Sequence, residues 1–321
     1  MIVPLTEMLS SLYSIQSEGK RTIDNREGYT KGEYIYFTIS GKNRETILME
    51  QATLAYHLKE NGVANVAYPI ANSNGDWFTS YGDDNWMVLE LDVSSIRNTK
   101  DPGIQLGSMH QIGSSFQYEP KTISSYGKWK ELWIEKLTFF EEEIQKQAKE
   151  QRGDYYRELM DIVPYIVGVS ENAIQYLQES EKEQRILETD QGTCCFVRWN
   201  PQGNQVLWTD GFVFDHPTRD IAEYIRWCFV NHQNKDNMIR FLHDYQSYQP
   251  LSIFGWRIIY ARLLFPIHLY DLLEEGFTSR DTSMLIKMQT IQESYEKQLR
   301  EFYQIVGVNT SDWQIPVVNW L

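Results

Sequence analysis

The hydrophobic periodicity of this chain changes once, near Asp92, and that change limits the folds open to it. Up to Asp92 the apolar residues occur in short runs separated by turn residues, which is typical of strands. Beyond Asp92 they recur every three or four residues over long stretches, which is typical of amphipathic helices. We therefore predict an α+β fold, with a β-rich N-terminal lobe over residues 1–92 and a larger, mainly helical lobe over residues 93–321.

The N-terminal part alternates strand-like and turn-like segments around one helix. Aromatic and β-branched residues predict a strand over 34–39, and three- and four-residue spacings predict a helix over 44–60 that ends at Asn-Gly. Three further strands are predicted over 63–70, 77–81 and 86–91.

The C-terminal part contains helical stripes with one irregular, β-like interruption at Thr193–Thr209. The segment 251–273 is the most apolar in the chain, but Arg257, Arg262 and Pro266 favour one buried helix over a membrane span. The other predicted helices lie around 106–113, 129–144, 152–163, 171–180, 220–230, 236–246 and 284–305. His110, on the first of these stripes, is interpreted as a structural core histidine.

Composition excludes several classes of protein. With 321 residues, 42% hydrophobic and 14% aromatic, the chain can bury a large core and is not disordered. The net charge of −14 disfavours nucleic acid and anionic lipid as main partners. Three cysteines are too few for a disulfide framework, and the N-terminus lacks the pattern of a signal peptide, so we expect synthesis in the cytoplasm.

Two motifs resemble the aminoglycoside phosphotransferase and choline kinase branch of the protein kinase-like fold. They are Leu-Gly-Ser-Met-His at 106–110 and Asp-His-Pro-Thr-Arg-Asp-Ile-Ala at 215–222. The islands 214–226, 170–177 and 262–268 resemble, more specifically, spore coat proteins of the YutH and CotS type. The resemblance implies a bilobal kinase-like fold and places Asp215, Pro217 and Asp220 in structural roles, with Asp220 capping the following helix.

The resemblance also implies where phosphoryl-transfer residues should lie, and most of those positions are occupied by unsuitable side chains. The strand lysine falls near Thr38. In the catalytic loop, Cys195 replaces a histidine, Val197 the base aspartate and Gln202 the asparagine. Because valine cannot accept a proton and threonine carries no charge, neither can replace the group expected there.

The metal-binding acid of the family falls on Trp208, which leaves Asp210 as a remnant of the second acid. A tryptophan supplies no oxygen ligand for a divalent ion. We therefore expect a catalytically inactive protein that holds no metal and no cofactor and acts as a structural or interaction component of the spore coat, with other coat proteins as partners.

Two alternatives stay open at this point. One is an active small-molecule phosphotransferase with rearranged residues, in which Asp210 holds metal and Asp215 or Glu223 acts as the base. The other is a binding module that uses the inter-lobe cleft for a ligand other than a nucleotide.

Overall fold

The structure is a computed structural model that describes residues 5–97, 101–150, 153–183, 185–199 and 206–318. The chain divides into two compact units. Unit 1 comprises Met1–Ser124, Gly192–Pro217 and Asp244–Gln249, and unit 2 comprises Ser125–Gln191, Thr218–His243 and Pro250–Leu321. Unit 1 thus gathers three chain segments, whereas the lobe boundary near Asp92 stays a prediction from periodicity alone.

Unit 1 contains a sheet of seven strands among its described residues, in the order β1-β2-β3-β6-β4-β8, with β5 paired to β6. The predicted strands and helix of this part are confirmed as β3 (Tyr34–Ser40), α2 (Glu45–Glu60), β4 (Val66–Ile70), β5 (Phe78–Tyr81) and β6 (Asp84–Asp92). All neighbours are antiparallel except β4 and β8 (Leu207–Trp208), which run parallel. This last pair brings a late segment of the chain onto the first sheet.

Three elements at the N-terminus were not predicted: α1 (Leu5–Leu12), β1 (Gly19–Ile23) and β2 (Arg26–Lys31). β1 is exposed at four of its five positions, so it lacks the alternation that reveals a strand. The two strands form a hairpin whose turn residues Asp24 and Asn25 have φ of 48° and 62°. Asp and Asn tolerate this left-handed conformation, which two-residue hairpin turns require at both central positions.

The sheet of unit 1 is buried on both faces, because successive apolar side chains of its central strands point to opposite faces. Ile35, Phe37 and Ile39 of β3 join one apolar cluster with Leu48 of α2 and with Trp208. Tyr36 of β3 and Val88 of β6 join the other cluster, which Met8 and Leu9 of α1 cover. Each successive side chain of β3 therefore belongs to the opposite face.

A second small sheet in unit 1 pairs β7 (Thr193–Phe196) antiparallel with β9 (Phe212–Asp215). The helix α3 (Pro102–Ser114) packs on β7 through Gly113, where an added Cβ would lie 2.4 Å from the Thr193 hydroxyl. The β-like interruption predicted at Thr193–Thr209 is thus confirmed at its two ends, as β7 and β8. The Asn-Pro-Gln-Gly turn predicted between them lies outside the described residues.

Unit 2 consists mainly of long helices. Two predictions for it are wrong at proline residues. The segments predicted as separate helices around Pro164 form one helix, because Leu159, Ile166, Val169 and Ala173 continue the same buried stripe across the proline. The helices are α4 (Trp129–Glu150), α5 (Asp154–Lys182), α6 (Thr218–Val230), α7 (Lys235–Gln246), α8 (Ile253–Leu264), α9 (Ile267–Ser279) and α10 (Thr282–Ile305), where α7 from Asp244 onward counts with unit 1.

The segment 251–273, predicted as one helix, is divided into α8 and α9. Pro266 has no N–H to donate, and it holds Phe265 in extended backbone with φ −66° and ψ 116°. Arg257 of this segment is 1% exposed and forms an ion pair with Glu183. The guanidinium of Arg262 lies over the ring of Trp129, 5.6 Å from its centre. No helix within the described ranges is long and apolar enough to cross a bilayer.

His268, at the start of α9, is a buried titratable group in unit 2. Its Nε2 donates to Gln292 Oε1 at 2.8 Å, while its Nδ1 has no hydrogen-bond partner among the residues that the structure describes. Burial, with a smaller contribution from the positive charge of Arg226, lowers the pKa of His268 from 6.5 to about 3. The imidazole is therefore neutral in the folded protein across the physiological range.

We predict that His268 makes the protein less stable as the pH falls below 6.5. The folded pKa lies below the unfolded one, so the unfolded chain takes up the proton first. The cost reaches up to about 1.4 kcal/mol per pH unit between the two pKa values. Urea unfolding at several pH values between about 7 and 4.5 measures it. The variant His268→Gln should lose stability less steeply, and equal slopes for both proteins would contradict the prediction.

Candidate functional site

The positions predicted to correspond to the family's catalytic loop begin on β7, in the core of unit 1. Cys195 is fully buried, and its Sγ lies 3.9 Å from Nε2 of His110. His110 is also fully buried, its Nδ1 lies 3.0 Å from the Tyr245 hydroxyl, and its carbonyl accepts a hydrogen bond from the Thr193 hydroxyl. These side chains contact one another inside the core and present no reactive atom to solvent.

The next catalytic-loop position, Val197, is 46% exposed and its N–H donates to the carbonyl of Gly211. Gln202 lies outside the described residues. Asp215, at the end of β9, is fully buried and accepts the N–H of His216 at 2.7 Å. Pro217, which follows it, is buried as well. Asp215, the base proposed in one alternative, is thus buried and has no access to solvent.

Two further predicted residues lie in unit 2, on α6. The helix begins at Thr218, so Asp220 occupies its first turn, where a carboxylate interacts favourably with the helix dipole, rather than the capping position. Asp220 is fully buried. Glu223, the other proposed base, forms an ion pair with Arg226 one turn later in the same helix.

Trp208 is the centre of a cluster in unit 1 that sequence reasoning found only in part. It is 5% exposed, and its ring meets Phe37 edge to face, with ring centres 4.7 Å apart. Its Nε1–H donates to Oδ2 of Asp24, in the hairpin turn, at 3.0 Å. The same oxygen accepts the N–H of Val206 at 3.3 Å.

Arg26 completes this cluster at the start of β2. Its guanidinium lies over the Trp208 ring, 4.5 Å from the ring centre, and its Nη1 donates to both oxygens of Asp210, at 2.8 and 2.9 Å. The Asp210 side chain is 15% exposed, so little of it is open to solvent. We call Asp24, Arg26, Phe37, Trp208 and Asp210 the Trp208 cluster.

The structure does not bring Thr38 into the Trp208 cluster. Thr38 pairs with Val88 of β6 and shares the sheet face of Tyr36, opposite to Phe37. The β3 side chain that contacts Trp208 is therefore Phe37. The assignment of Thr38 to the family's lysine position stays a prediction.

The polar residues of α2 hold backbone segments of unit 1. Glu50 accepts the N–H groups of Lys121, Thr122 and Ile123 at 2.8–3.0 Å. Partial burial raises the pKa of Glu50, but these donors outweigh it and lower the pKa below the ordinary value. Gln51 is 3% exposed, and its Nε2 donates to the carbonyls of Asp210 and Phe212.

The lysines near the sheet are engaged elsewhere. Lys20 pairs with Glu27 on the neighbouring strand, and Lys31 donates to the carbonyl of Ser14. Lys59 lies over the ring of Tyr68, 5.0 Å from its centre. None of these three ammonium groups is directed to Trp208 or Asp210.

A magnesium-bound nucleotide does not fit the Trp208 cluster as it stands. Mg²⁺ requires free oxygen ligands, but both Asp210 oxygens accept from Arg26 and one Asp24 oxygen accepts from Trp208. The hairpin turn presents the Asp24 carboxylate, which repels phosphate, where a phosphate cradle offers backbone N–H groups. The oxygens that a metal ion would need are therefore already engaged by donors of the protein itself.

Sequence reasoning missed Arg26, Asp24 and Phe37. Arg26 is 184 residues from its partner Asp210, so no local pattern links the two. The one available signal was the Asp-Asn pair at 24–25, a typical hairpin turn, which would have placed Arg26 at the start of a strand.

A family model described as "Spore coat putative kinase YutH" matches residues 6–306. The chain belongs to this family. A relative within it, the endospore coat-associated protein YutH of Bacillus subtilis (strain 168), is 27% identical over 309 residues, covering 91% of this chain and 90% of that protein. The resemblance to spore coat proteins of the YutH type, inferred from the three sequence islands, is thus confirmed.

Solved structures of phosphotransferases share the fold of this YutH family member. An aminoglycoside phosphotransferase from Alicyclobacillus acidocaldarius matches with a TM-score of 0.66 and 14% identity, over 96% of this chain and 97% of that one. An amicoumacin kinase solved with AMP-PNP and Ca²⁺ matches with a TM-score of 0.54 and 15% identity, over 96% of each chain. At these identities the likeness shows the fold, so the predicted kinase-like α+β fold is confirmed.

We predict that Gly28 of β2 is required for the packing beneath Trp208. A Cβ added at this glycine would lie 2.5 Å from Cγ2 of Ile35 and 2.6 Å from Cε1 of Phe37. Overpacking of this kind costs about 1–3 kcal/mol, so Gly28→Ala should lower the free energy of unfolding by that amount in urea titration.

Gly19→Ala on the adjacent strand is the matched control for this prediction. An added Cβ there meets only the Thr30 hydroxyl, at an ordinary 3.4 Å. The control should be neutral or slightly stabilising, because alanine restricts the unfolded chain. A loss of stability as large as that of Gly28→Ala would show that the contacts with Ile35 and Phe37 do not set the requirement.

Proposed function

We propose that this protein uses a kinase-like fold without phosphoryl transfer and acts in the spore coat through contacts with other coat proteins. The observation that carries the proposal is the Trp208 cluster, in which Arg26 engages both oxygens of Asp210. The only acid left from the expected metal pair is thus held by a cation of the protein itself. Phosphoryl transfer depends almost entirely on placing positive charge around the phosphates. The hairpin turn of this site instead presents the carboxylate of Asp24, which repels phosphate.

Steric and electrostatic arguments support the same conclusion. Trp208 fills space beside Asp210 and packs on Phe37, so a metal ion would have to displace an indole ring from an apolar contact. Displacing Arg26 would leave the Asp210 carboxylate, which is 15% exposed, without its cation. The pair is only partly buried, with Arg26 37% exposed, so separating it costs about 1 kcal/mol, in addition to the cost of moving the indole ring.

The family assignment supports a role in the coat. The family description and the B. subtilis relative both name the spore coat, and that relative covers nearly the whole chain. A coat component acts by binding its neighbours, for which a folded and inactive kinase-like chain is sufficient. The net charge of −14 favours partners that carry positive charge.

We predict that the purified protein shows no magnesium-dependent ATP binding at nucleotide concentrations up to about 1 mM, because Arg26 already engages both oxygens of Asp210. A site weaker than this would bind ATP with a free energy of less than about 4 kcal/mol. Isothermal titration of ATP with and without MgCl₂ measures this, with an aminoglycoside phosphotransferase of the same fold as the positive control. Magnesium-dependent binding at millimolar affinity or tighter would overturn the proposal.

The variant Asp210→Asn separates the proposal from an active phosphotransferase with rearranged residues. If Asp210 holds a catalytic metal, the parent protein hydrolyses ATP and the variant does not. We expect no ATP turnover in either protein and a loss of stability in the variant, because the neutral amide weakens the hydrogen bonds from Arg26.

A further inference from the structure

Unit 2 contains a groove formed by α5, α9 and α10, with a volume of about 360 Å³. Its floor is apolar and is formed by Ile162, Leu269 and Met288. Its polar lining includes three carboxylates, Asp161, Glu293 and Glu296, and no lysine, arginine or histidine. We call this feature the acidic groove. None of the catalytic-loop positions or the residues of the Trp208 cluster lines it.

The three carboxylates of the acidic groove have no cationic partner in the part of the chain that the structure describes. Lys287 and Lys297 lie on the same helix as Glu293 and Glu296, but no ion pair within 4.0 Å forms. Asp161 and Glu293 also accept no hydrogen bond from the described residues. The negative charge of the groove is therefore uncompensated, unlike that of Asp210.

A chain of hydrogen bonds fixes one of these carboxylates. His268 Nε2 donates to Gln292 Oε1 at 2.8 Å, and Gln292 Nε2 donates to the Tyr165 hydroxyl at 2.6 Å. The Tyr165 hydroxyl in turn donates to Oε1 of Glu296. Oε2 of Glu296 accepts no hydrogen bond from the described residues, and the hydrogen bonds that lead back to the buried His268 fix its position. A carboxylate held in place loses less entropy on binding a cation.

We propose that the acidic groove binds a lysine-bearing segment of a second protein. The ammonium would meet the three carboxylates, and the aliphatic stem of the lysine would lie on the apolar floor, as long basic side chains do on apolar surfaces. This inference rests on the proposed role as an interaction component of the coat, for which it specifies a partner class.

The surroundings of the groove favour a peptide segment over the alternatives. Ile286 is 63% exposed and lies seven residues before Glu293, on the same edge of α10, with the exposed Gln289 and Thr290 between them. An amphipathic segment whose lysine enters the groove covers Ile286 with an apolar side chain, whereas a small amine leaves it exposed. A second copy of this chain is disfavoured, because each copy carries a net charge of −14.

The test uses a synthetic, end-capped amphipathic peptide of leucine and lysine, titrated into the full-length protein by fluorescence anisotropy. The groove variant carries Asp161→Asn, Glu293→Gln and Glu296→Gln. The matched control carries Glu142→Gln, Glu171→Gln and Glu275→Gln, three exposed acids of unit 2 outside the groove, so both variants change the net charge equally. We expect the groove variant to bind at least about tenfold more weakly than the control, with affinity for the unmodified protein falling as salt is raised.

Equal weakening in the two triple variants would overturn the proposal, because the peptide would then sense only the overall charge. The absence of peptide binding to the unmodified protein would do the same. Spermidine binding as tightly as the peptide, with the same loss in the groove variant, would assign the groove to small amines instead. If the triple variant does not fold, the double variant Asp161→Asn with Glu293→Gln replaces it, since neither side chain has a hydrogen bond to lose.

These outcomes are independent of the nucleotide experiment. A protein that binds no ATP and no peptide keeps the proposed inactivity and loses the proposed partner class. A protein that binds both keeps the groove and loses the proposed inactivity.

Discussion

The guanidinium of Arg26 between the indole of Trp208 and the carboxylate of Asp210 is the interaction on which the local structure of unit 1 depends. It joins the first hairpin of the chain to a segment 184 residues later. The same segment adds β8 to the sheet beside β4, and Gln51 of α2 donates to the carbonyls of Asp210 and Phe212. Hairpin, sheet and helix are thus held to one short stretch of chain.

Under the proposed function, this arrangement also accounts for how a kinase-like fold persists without phosphoryl transfer. In an active phosphotransferase site, the clustered charges of the side chains are compensated by bound metal ions and nucleotide. In the Trp208 cluster, Arg26 neutralises Asp210, Asp24 accepts the indole N–H, and Phe37 packs under the ring. Edge-to-face aromatic pairs contribute about 0.5–1.5 kcal/mol beyond their burial, so the contact of Phe37 with Trp208 adds to the stability of unit 1.

The sequence predicted what local patterns encode and failed where the information is distant. The strand Tyr34–Ser40 and helix α2 were predicted because their apolar spacing is regular and turn residues bound them. The hairpin before them was missed because β1 is exposed on both faces and has no alternation. The predictions at two prolines were wrong in opposite ways. Pro164 lies inside the single helix α5, where two helices were predicted, whereas Pro266 separates α8 from α9, where one helix was predicted.

The candidate site was predictable to a similar degree. The motif resemblance drew attention to Trp208 and Asp210, because it predicts a metal-binding acid at the position that the tryptophan occupies. Nothing in the sequence near Asp210 shows that a cation already engages it, because Arg26 belongs to another strand of the same sheet. Likewise, Asp161 and Glu293 are separated by more than a hundred residues, and only the packing of α5 with α10 brings them to one groove.

The most direct test of the central claim is a double-mutant cycle on Arg26 and Asp210, with the free energy of unfolding measured for the parent, Arg26→Ala, Asp210→Ala and the double variant. Arg26 is 37% exposed, so solvent screening limits the expected coupling to about 1 kcal/mol, unchanged when MgCl₂ is added. A coupling near zero, or a parent protein stabilised by magnesium and ATP through Asp210, would contradict the account, because Asp210 would then serve a ligand and not Arg26.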